Sequence, residues 1–302
     1  MYIGIDFLID AGQELYLSEI NTGAPAGAFE YDLVFREQFN RPSGVFKKID
    51  DISKKNFSLT FREYIRRLPY IADLRMLKIW MDGMGPFPAH PAPELRLEDK
   101  WIQYNILSGE FDMLPTEIYS RENEEQYWKT DAGKTRLVVK RRLGRGGREF
   151  WVCKKGEKIK DLEKPGNQYI MQPWIDSSIE GLSMSVRAAS FCGEFICMLA
   201  SLSPRRVSNH GYRFYTMPGN RLGLSRSGYR LKKVIKKSWE AGIFFGGDIP
   251  DYLEESVMVE TVSDGVLTLP ENIYTSILEI SGQVSRKIDG IDCSRIAGSL
   301  IP

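Results

Sequence analysis

The chain has 302 residues, 42% apolar and 27% charged, with 41 Lys and Arg set against 40 Asp and Glu. That is the composition of a soluble globular protein of one large domain or two modest ones, and the net charge of +1 speaks against a dedicated nucleic-acid binder, whose phosphate contacts leave a basic excess. No apolar run approaches the ~20 residues of a membrane span, and Asp6 and Asp10 interrupt the only apolar stretch at the N-terminus, so neither a membrane segment nor a signal peptide is expected. Cys153, Cys192, Cys197 and Cys293 form no CxxC pair, which argues against a zinc ribbon or a disulfide framework and for reduced thiols in a cytoplasmic protein. His90 and His210 are the only histidines, too few for a His-rich metal centre.

In chain order, residues 1–21 predict a β-hairpin: Ile3, Ile5, Phe7 and Ile9 alternate with Gly4, Asp6, Leu8 and Asp10, Ala11-Gly12 turns, and Leu15 to Asn21 returns. Thr22 to Gly27 is a loop. Helix formers with apolar positions at Phe61, Ile65, Leu68, Ile71 and Leu74 predict a helix over 57–80, and the proline- and glycine-rich run 83–93 a linker. Short helices follow over 98–107 and, after Ser120 as N-cap, over 121–129. Strands are expected at 137–140, 149–153 and 169–172, with a glycine loop at Gly144-Arg145-Gly146-Gly147. Residues 183–191 and 194–202 alternate as a hairpin about Cys192-Gly193. Helices are expected near 227–241 and over 271–289, the latter opening at Pro270, with strands at 256–262 and 266–269. Hairpins and helices mix without strict βαβ alternation, which predicts an α+β fold.

The hairpin carries the first chemistry. With a turn on Ala11-Gly12, Asp10 pairs with Gln13, Asp6 lies opposite Leu17, and Glu19 and Asn21 project from that same face. Asp6 and Glu19 are then diagonal neighbours, and two carboxylates with an amide carbonyl are hard oxygen donors suited to Mg²⁺. A turn longer by one residue would reverse the parity and separate the two acids. The alternative reading is a solvated outer face of an edge hairpin.

A second candidate is the strand ending in Lys140 beside Gly144, Gly146 and Gly147: glycines let backbone N–H groups approach phosphate oxygens, and the lysine compensates their charge. The alternative is a solvated turn in the basic stretch 134–148. Lys100 stands before an apolar helix, where a surface charge is the ordinary case. Gln172-Pro173-Trp174-Ile175 leaves a strand as a proline-stiffened apolar segment that could present backbone to a flat base or simply pack its side chains. Arg187 lies among small and apolar strand residues, so it needs either an internal carboxylate or a bound phosphate. Arg205 stands at the root of a Gly- and Asn-rich loop running to Asn220.

Taken in cyclic order, these pieces resemble the ATP-grasp superfamily of ligases: Asp99-Lys100 before a helix, Leu114-Pro115, Leu137-Val138-Val139-Lys140 with its glycine loop, Gln172-Pro173-Trp174-Ile175, Gly181-Leu182-Ser183-Met184-Ser185-Val186-Arg187, and then a helix. The family's closing strands are matched at the start of the chain, by Gly4-Ile5-Asp6-Phe7 and Glu19-Ile20-Asn21, thirteen residues from Asp6 to Glu19. The resemblance is thus to a circularly permuted member and covers residues 1–27 and 97–290. It implies two α+β subdomains clasping ATP: 98–172 with the glycine loop, and 173–302 completed by 1–27, with 28–97 as a helical insert and linker in place of the family's Rossmann-like substrate domain. Met1 stands immediately before a site strand, which leaves open whether it is the true start.

The resemblance implies ATP-dependent joining of a small-molecule carboxylate to an amine or other nucleophile through an acylphosphate, with neither nucleic acid nor membrane as partner and a homodimer compatible with it. Lys100 and Lys140 would hold the phosphates, the backbone near Gln172, Trp174 and Ile175 would read adenine, and Glu180 or Ser183 would lie near the ribose. Asp6, Glu19 and Asn21 would carry Mg²⁺ or Mn²⁺, Arg187 would face the transferred phosphate, and Arg205 a substrate carboxylate. An ATP-grasp kinase of a small molecule and a nucleotide-binding module without chemistry are the alternatives.

Overall fold

The structure, a computed structural model, describes residues 1–22, 27–28, 31–32, 35–36, 40–68, 70–81, 86–130, 135–144, 150–157, 168–179, 182–204 and 269–296, with short strands at 214–216, 234–236 and 255–257. Strands β1 (Tyr2–Ile9) and β2 (Leu15–Asn21) form the antiparallel hairpin, and β1 alternates as expected, with Ile3, Ile5, Phe7 and Ile9 buried and Asp6 and Leu8 less so. The turn is longer than Ala11-Gly12. Ile9 pairs with Leu15, Asp10 N donates to Glu14 O, and Gln13 takes a positive φ of 66°. That loop alone would put Asp6 and Glu19 on opposite faces. The register then slips by one: Phe7 pairs with Leu17 but Asp6 with Glu19, so Ser18 is the extra residue of a bulge. The expected pairing of Asp6 with Leu17 is corrected, and the two acids are direct cross-strand partners rather than diagonal neighbours.

The single helix expected over 57–80 is two helices, α2 (Phe61–Arg67) and α3 (Tyr70–Met81), and a further helix, α1 (Val45–Phe57), precedes them. The breaks have local causes. Ser58 closes α1 in the left-handed region at φ 58°, and Thr60 starts α2 with a capping box in which its side chain accepts from Glu63 N while Glu63 accepts from Thr60 N. Leu68, extended ahead of Pro69, ends α2. The stretch expected as a linker is irregular from Pro86 to Ala92, then enters a 3-10 helix, Pro93–Glu98, whose Leu95 and Leu97 are fully buried.

Helix α4 (Lys100–Leu107) follows, capped by Asp99; then β3 (Glu117–Ile118) and α5 (Arg121–Thr130), where Ser120 Oγ accepts from Asn123 N as an N-cap should. Strands β4 (Arg136–Arg141), β5 (Phe150–Lys154) and β6 (Tyr169–Pro173) join β3 in an antiparallel sheet of order β3-β6-β4-β5, one face of which packs Leu137, Val139, Cys153 and Met171 against Trp128 of α5.

The larger sheet takes β7 (Ser178–Ile179), β8 (Leu182–Phe191), β9 (Glu194–Pro204) and β10 (Phe214–Thr216) in the order β10-β9-β8-β1-β2, with β7 paired to β8. Strands β11 (Val234–Lys236) and β12 (Glu255–Val257) pair with each other, so the helix expected near 227–241 is replaced by strand at its described residues. Both sheets are antiparallel and the fold is α+β.

Helix α6 (Glu271–Asp289) lays Ile273, Ile277, Val284 and Ile288 on the sheet face that carries Ile3, Ile5, Val186 and Ala188. The opposite face, with Tyr2, Ala189 and Phe191, is covered by Val45, Ile49 and Ile52 of α1, Phe61 and Ile65 of α2, and Leu77 of α3. Helices α1, α2 and α3 therefore form one layer of the molecule. The end of α6 meets the start of β1, where the Met1 ammonium pairs with Asp289.

The β8–β9 turn locks onto α6. Gly193 N donates to Ser285 Oγ, Arg286 donates to Gly193 O, and Gly193 has φ 74°, with a Cβ there lying 2.6 Å from Arg286 Cγ. Gly193→Ala should cost about 1–2 kcal/mol, from the left-handed backbone and the displaced arginine stem. Urea unfolding measures this, and the wild-type midpoint in the variant would contradict it.

Candidate active site

Direct pairing of β1 with both β2 and β8 sets three charged residues side by side on one face. Asp6 is the Cα partner of Glu19 on one side and of Arg187 on the other. Arg187 grips Asp6 with two hydrogen bonds, Nε to Oδ1 at 2.5 Å and Nη2 to Oδ2, and Asn21 Nδ2 adds a donor to Oδ2 at 3.3 Å. Of the two partners open to Arg187 from sequence, the structure gives the internal carboxylate.

Glu19 faces the other way along the site. Its Oε2 lies 3.4 Å from Lys140 Nζ and 3.7 Å from Lys100 Nζ. Lys140 comes from β4 of the smaller sheet, Lys100 from the first turn of α4, and Glu19 from the larger sheet, so three separate elements meet at one carboxylate. The lysine side chains are about one-tenth exposed and that of Glu19 is 22% exposed. Burial pushes the Glu19 carboxyl up, but Lys100, Lys140 and Arg187 outweigh it and hold the group at about 2. Burial pulls the Lys140 ammonium below the ordinary lysine value and Lys100 adds to this, while Glu19 offsets part of it. With Glu98 in the adjoining cavity, the carboxylates of Asp6, Glu19 and Glu98 match the three cations Lys100, Lys140 and Arg187 in number.

Lys100 also ties down the start of the glycine loop: its Nζ donates to Gly144 O at 2.6 Å. A narrow cavity at this junction is lined by Ile20, Asn21, Leu77, Glu98, Lys100 and Gly144. Gln172 is the partner of Val138 and shares the Lys140 face of the smaller sheet; its Nε2 donates to Thr116 Oγ1 at 2.8 Å. Trp174 and Ile175 leave β6 half-buried just beyond it. A larger cavity, of about 700 Å³, lies away from this site between Met1, Tyr64, Arg286 and Asp289, whose charged groups already pair as described above.

Seven of the residues singled out from sequence thus converge: Asp6, Glu19, Asn21, Lys100, Lys140, Gly144 and Arg187. Gly146, Gly147, Glu180 and Arg205 lie outside the described residues, as does the Ser183 side chain. Three buried partners were not anticipated: Glu98, which accepts from Thr22; Asp99, which pairs with Arg142; and Gln103, which exchanges hydrogen bonds with the Ile20 backbone. The charged triplet Glu98-Asp99-Lys100 at the mouth of an apolar helix was the available signal, since Asp before such a run reads as an N-cap.

Among the described residues no group of three or more His, Cys, Asp and Glu could hold a metal. Asp6, Glu19 and Asn21 meet as two carboxylates and an amide, with Arg187 on both oxygens of Asp6 and the Asn21 amide nitrogen donating to one of them. No helix among the described residues is long and apolar enough to cross a membrane. No protein-family model matches the chain, and no curated protein matches it.

Proposed function

We propose that the protein is an ATP-dependent ligase of the ATP-grasp type, circularly permuted, joining a small-molecule carboxylate to an amine or other nucleophile. The observation that carries this reading is the meeting of Glu19, Lys100 and Lys140, contributed by three elements, beside the Asp6–Arg187 pair and the first residue of the glycine loop. The contact of Asp289 with Met1, and the insertion of β1 beside β8, support the rotated order, because they join the last helix to the first strand.

In this reading Lys100 and Lys140 exchange Glu19 for phosphate oxygens and hold them by charge, and Lys100 also fixes Gly144, the first residue of the glycine loop. Arg187, anchored by Asp6, stabilises negative charge building on the transferred phosphoryl group. Asp6, Glu19 and Asn21 would hold Mg²⁺, which supplies charge neutralisation across the phosphates. Gln172 shares the Lys140 face, and the adenine would sit against the segment that follows it.

Product analysis tests this. Incubated with ATP, Mg²⁺ and a panel of carboxylates and amines, the protein should release ADP and phosphate only when both a carboxylate and a nucleophile are present. A stable phosphorylated product would make it a kinase, and binding without turnover a nucleotide-binding module.

A further inference from the structure

Glu98, Asp99 and Lys100 are consecutive, yet each side chain reaches a different part of the site. Glu98, buried, accepts through Oε1 from Thr22 N at 2.9 Å and from Thr22 Oγ1, which fixes the residue that follows Asn21 at the end of β2. Tyr70 OH, from α3, donates to Thr22 O at 3.4 Å. Asp99, fully buried, takes Arg142 in a two-point pair, Nε to Oδ1 at 3.0 Å and Nη2 to Oδ2 at 2.6 Å, while Oδ1 also caps α4 through Trp101 N at 2.9 Å. Arg142 stands two residues beyond Lys140, and its carbonyl accepts from Lys100 N at 3.3 Å.

One short segment therefore holds the end of β2, which brings Glu19, and the end of β4, which brings Lys140, with Lys100 fixed between them. Buried ion pairs are weak stabilisers compared with apolar residues of similar size, because desolvation offsets most of their attraction. What a two-point guanidinium–carboxylate pair supplies is direction and distance.

We propose that Glu98 and Asp99, with Arg142, are positioning residues that set the spacing of Lys100, Lys140 and Glu19. The proposal rests on the reading of these three groups as a phosphate site. Because reacting groups misplaced by about 1 Å can lose about a hundredfold in rate, the clamp acts on catalysis and not only on folding.

Asp99→Asn alone would strand a buried guanidinium, so the test is the double variant Asp99→Asn/Arg142→Gln, which keeps the shapes and replaces the ion pair with two amides. Urea unfolding and circular dichroism establish that it folds. Its kcat for ATP turnover should fall by about tenfold or more while KM for ATP rises less than about threefold, the split expected when ground-state binding survives and transition-state contacts do not. Arg142→Lys, which keeps the charge but not the two-point geometry, should recover part of kcat. A folded double variant within about twofold of wild-type kcat would overturn the proposal, since a merely structural pair lowers the unfolding midpoint and leaves kcat unchanged. Crystal structures of wild type and variant decide the geometry without nucleotide. Lys100 and Lys140 displaced from Glu19 support the clamp, and both contacts retained overturn it. Wild-type protein that neither binds nor turns over ATP would remove the functional reading, and the two crystal structures would still judge the clamp.

Discussion

Glu19→Gln should abolish metal-dependent ATP turnover, by about a hundredfold or more, the scale of losing a central charge-stabilising group, while leaving metal-free nucleotide binding intact or tighter. The carboxylate is the meeting point of Lys100 and Lys140, and Asp6 is already neutralised by Arg187. From sequence, a self-repelling pair of acids would be relieved by the loss of one charge. The structure reverses that argument: Glu19 faces two cations, and Gln at this position leaves two buried ammonium groups without their shared anion. The variant should therefore be folded but less stable. The pH dependence gives the sign. The folded carboxyl titrates at about 2 against an ordinary 4.5, so its contribution is fully present above pH 4.5 and is lost as pH falls through 2. That contribution is on the order of 3 kcal/mol before allowing for coupling to the lysines. Unfolding midpoints measured between pH 6 and 2 should fall less steeply in the variant. Wild-type turnover, or an unchanged acid limb, would contradict the assignment.

Lys140→Ala should weaken ATP binding by about 2–3 kcal/mol, roughly 30- to 150-fold in Kd, the scale of a charge-assisted contact in a partly dry site. Lys140 is fixed by β4 between β5 and β6 and is about one-tenth exposed, so no neighbouring solvent cation can take its place. Lys100 remains bonded to Gly144 O and keeps the start of the glycine loop in position. Calorimetry of the folded variant measures the loss, and unchanged affinity would take Lys140 and its loop out of the site. Raising salt should weaken ATP binding less in the variant than in wild type, because one fewer charge is being screened.

The hairpin, Lys140 before its glycines and α6 over 271–289 were legible because each is written in local sequence: a period of two, a strand delivering a cation to a turn, and an amphipathic run starting at Pro270. The convergence of Lys100 on Glu19 was not, since no local pattern reports a contact between residues 81 positions apart. The break within 57–80 was signalled weakly, by Pro69, and the apolar spacing from Phe61 to Leu74 across it outweighed that signal; the start of α2 was written in Thr60 with Glu63 three residues on. The Asp99–Arg142 pair was hidden for a different reason. Arg142 sits in a basic stretch whose charges looked solvated, and only the fold shows that the guanidinium turns inward against a fully buried acid.

The bulge at Ser18 divides the hairpin into two independent parts. Toward the tip, Phe7 to Ile9 pair with Leu15 to Leu17; beyond the extra residue, Gly4 to Asp6 pair with Glu19 to Asn21 in a register offset by one. The thirteen-residue step from Asp6 to Glu19 thus combines an odd loop with one surplus residue, and at that step either alone would turn Glu19 to the wrong side. A chain that lost the surplus alone would keep both acids paired at a step of twelve, and one that also lost a residue at the tip would keep them paired at a step of eleven. In such hairpins the step between the acids is free to change, by one residue or by two, provided that loop length and bulges change with it. The quantity under constraint is the combined parity of step, loop and bulges, and a search for similar sites should hold the face fixed and let the spacing vary.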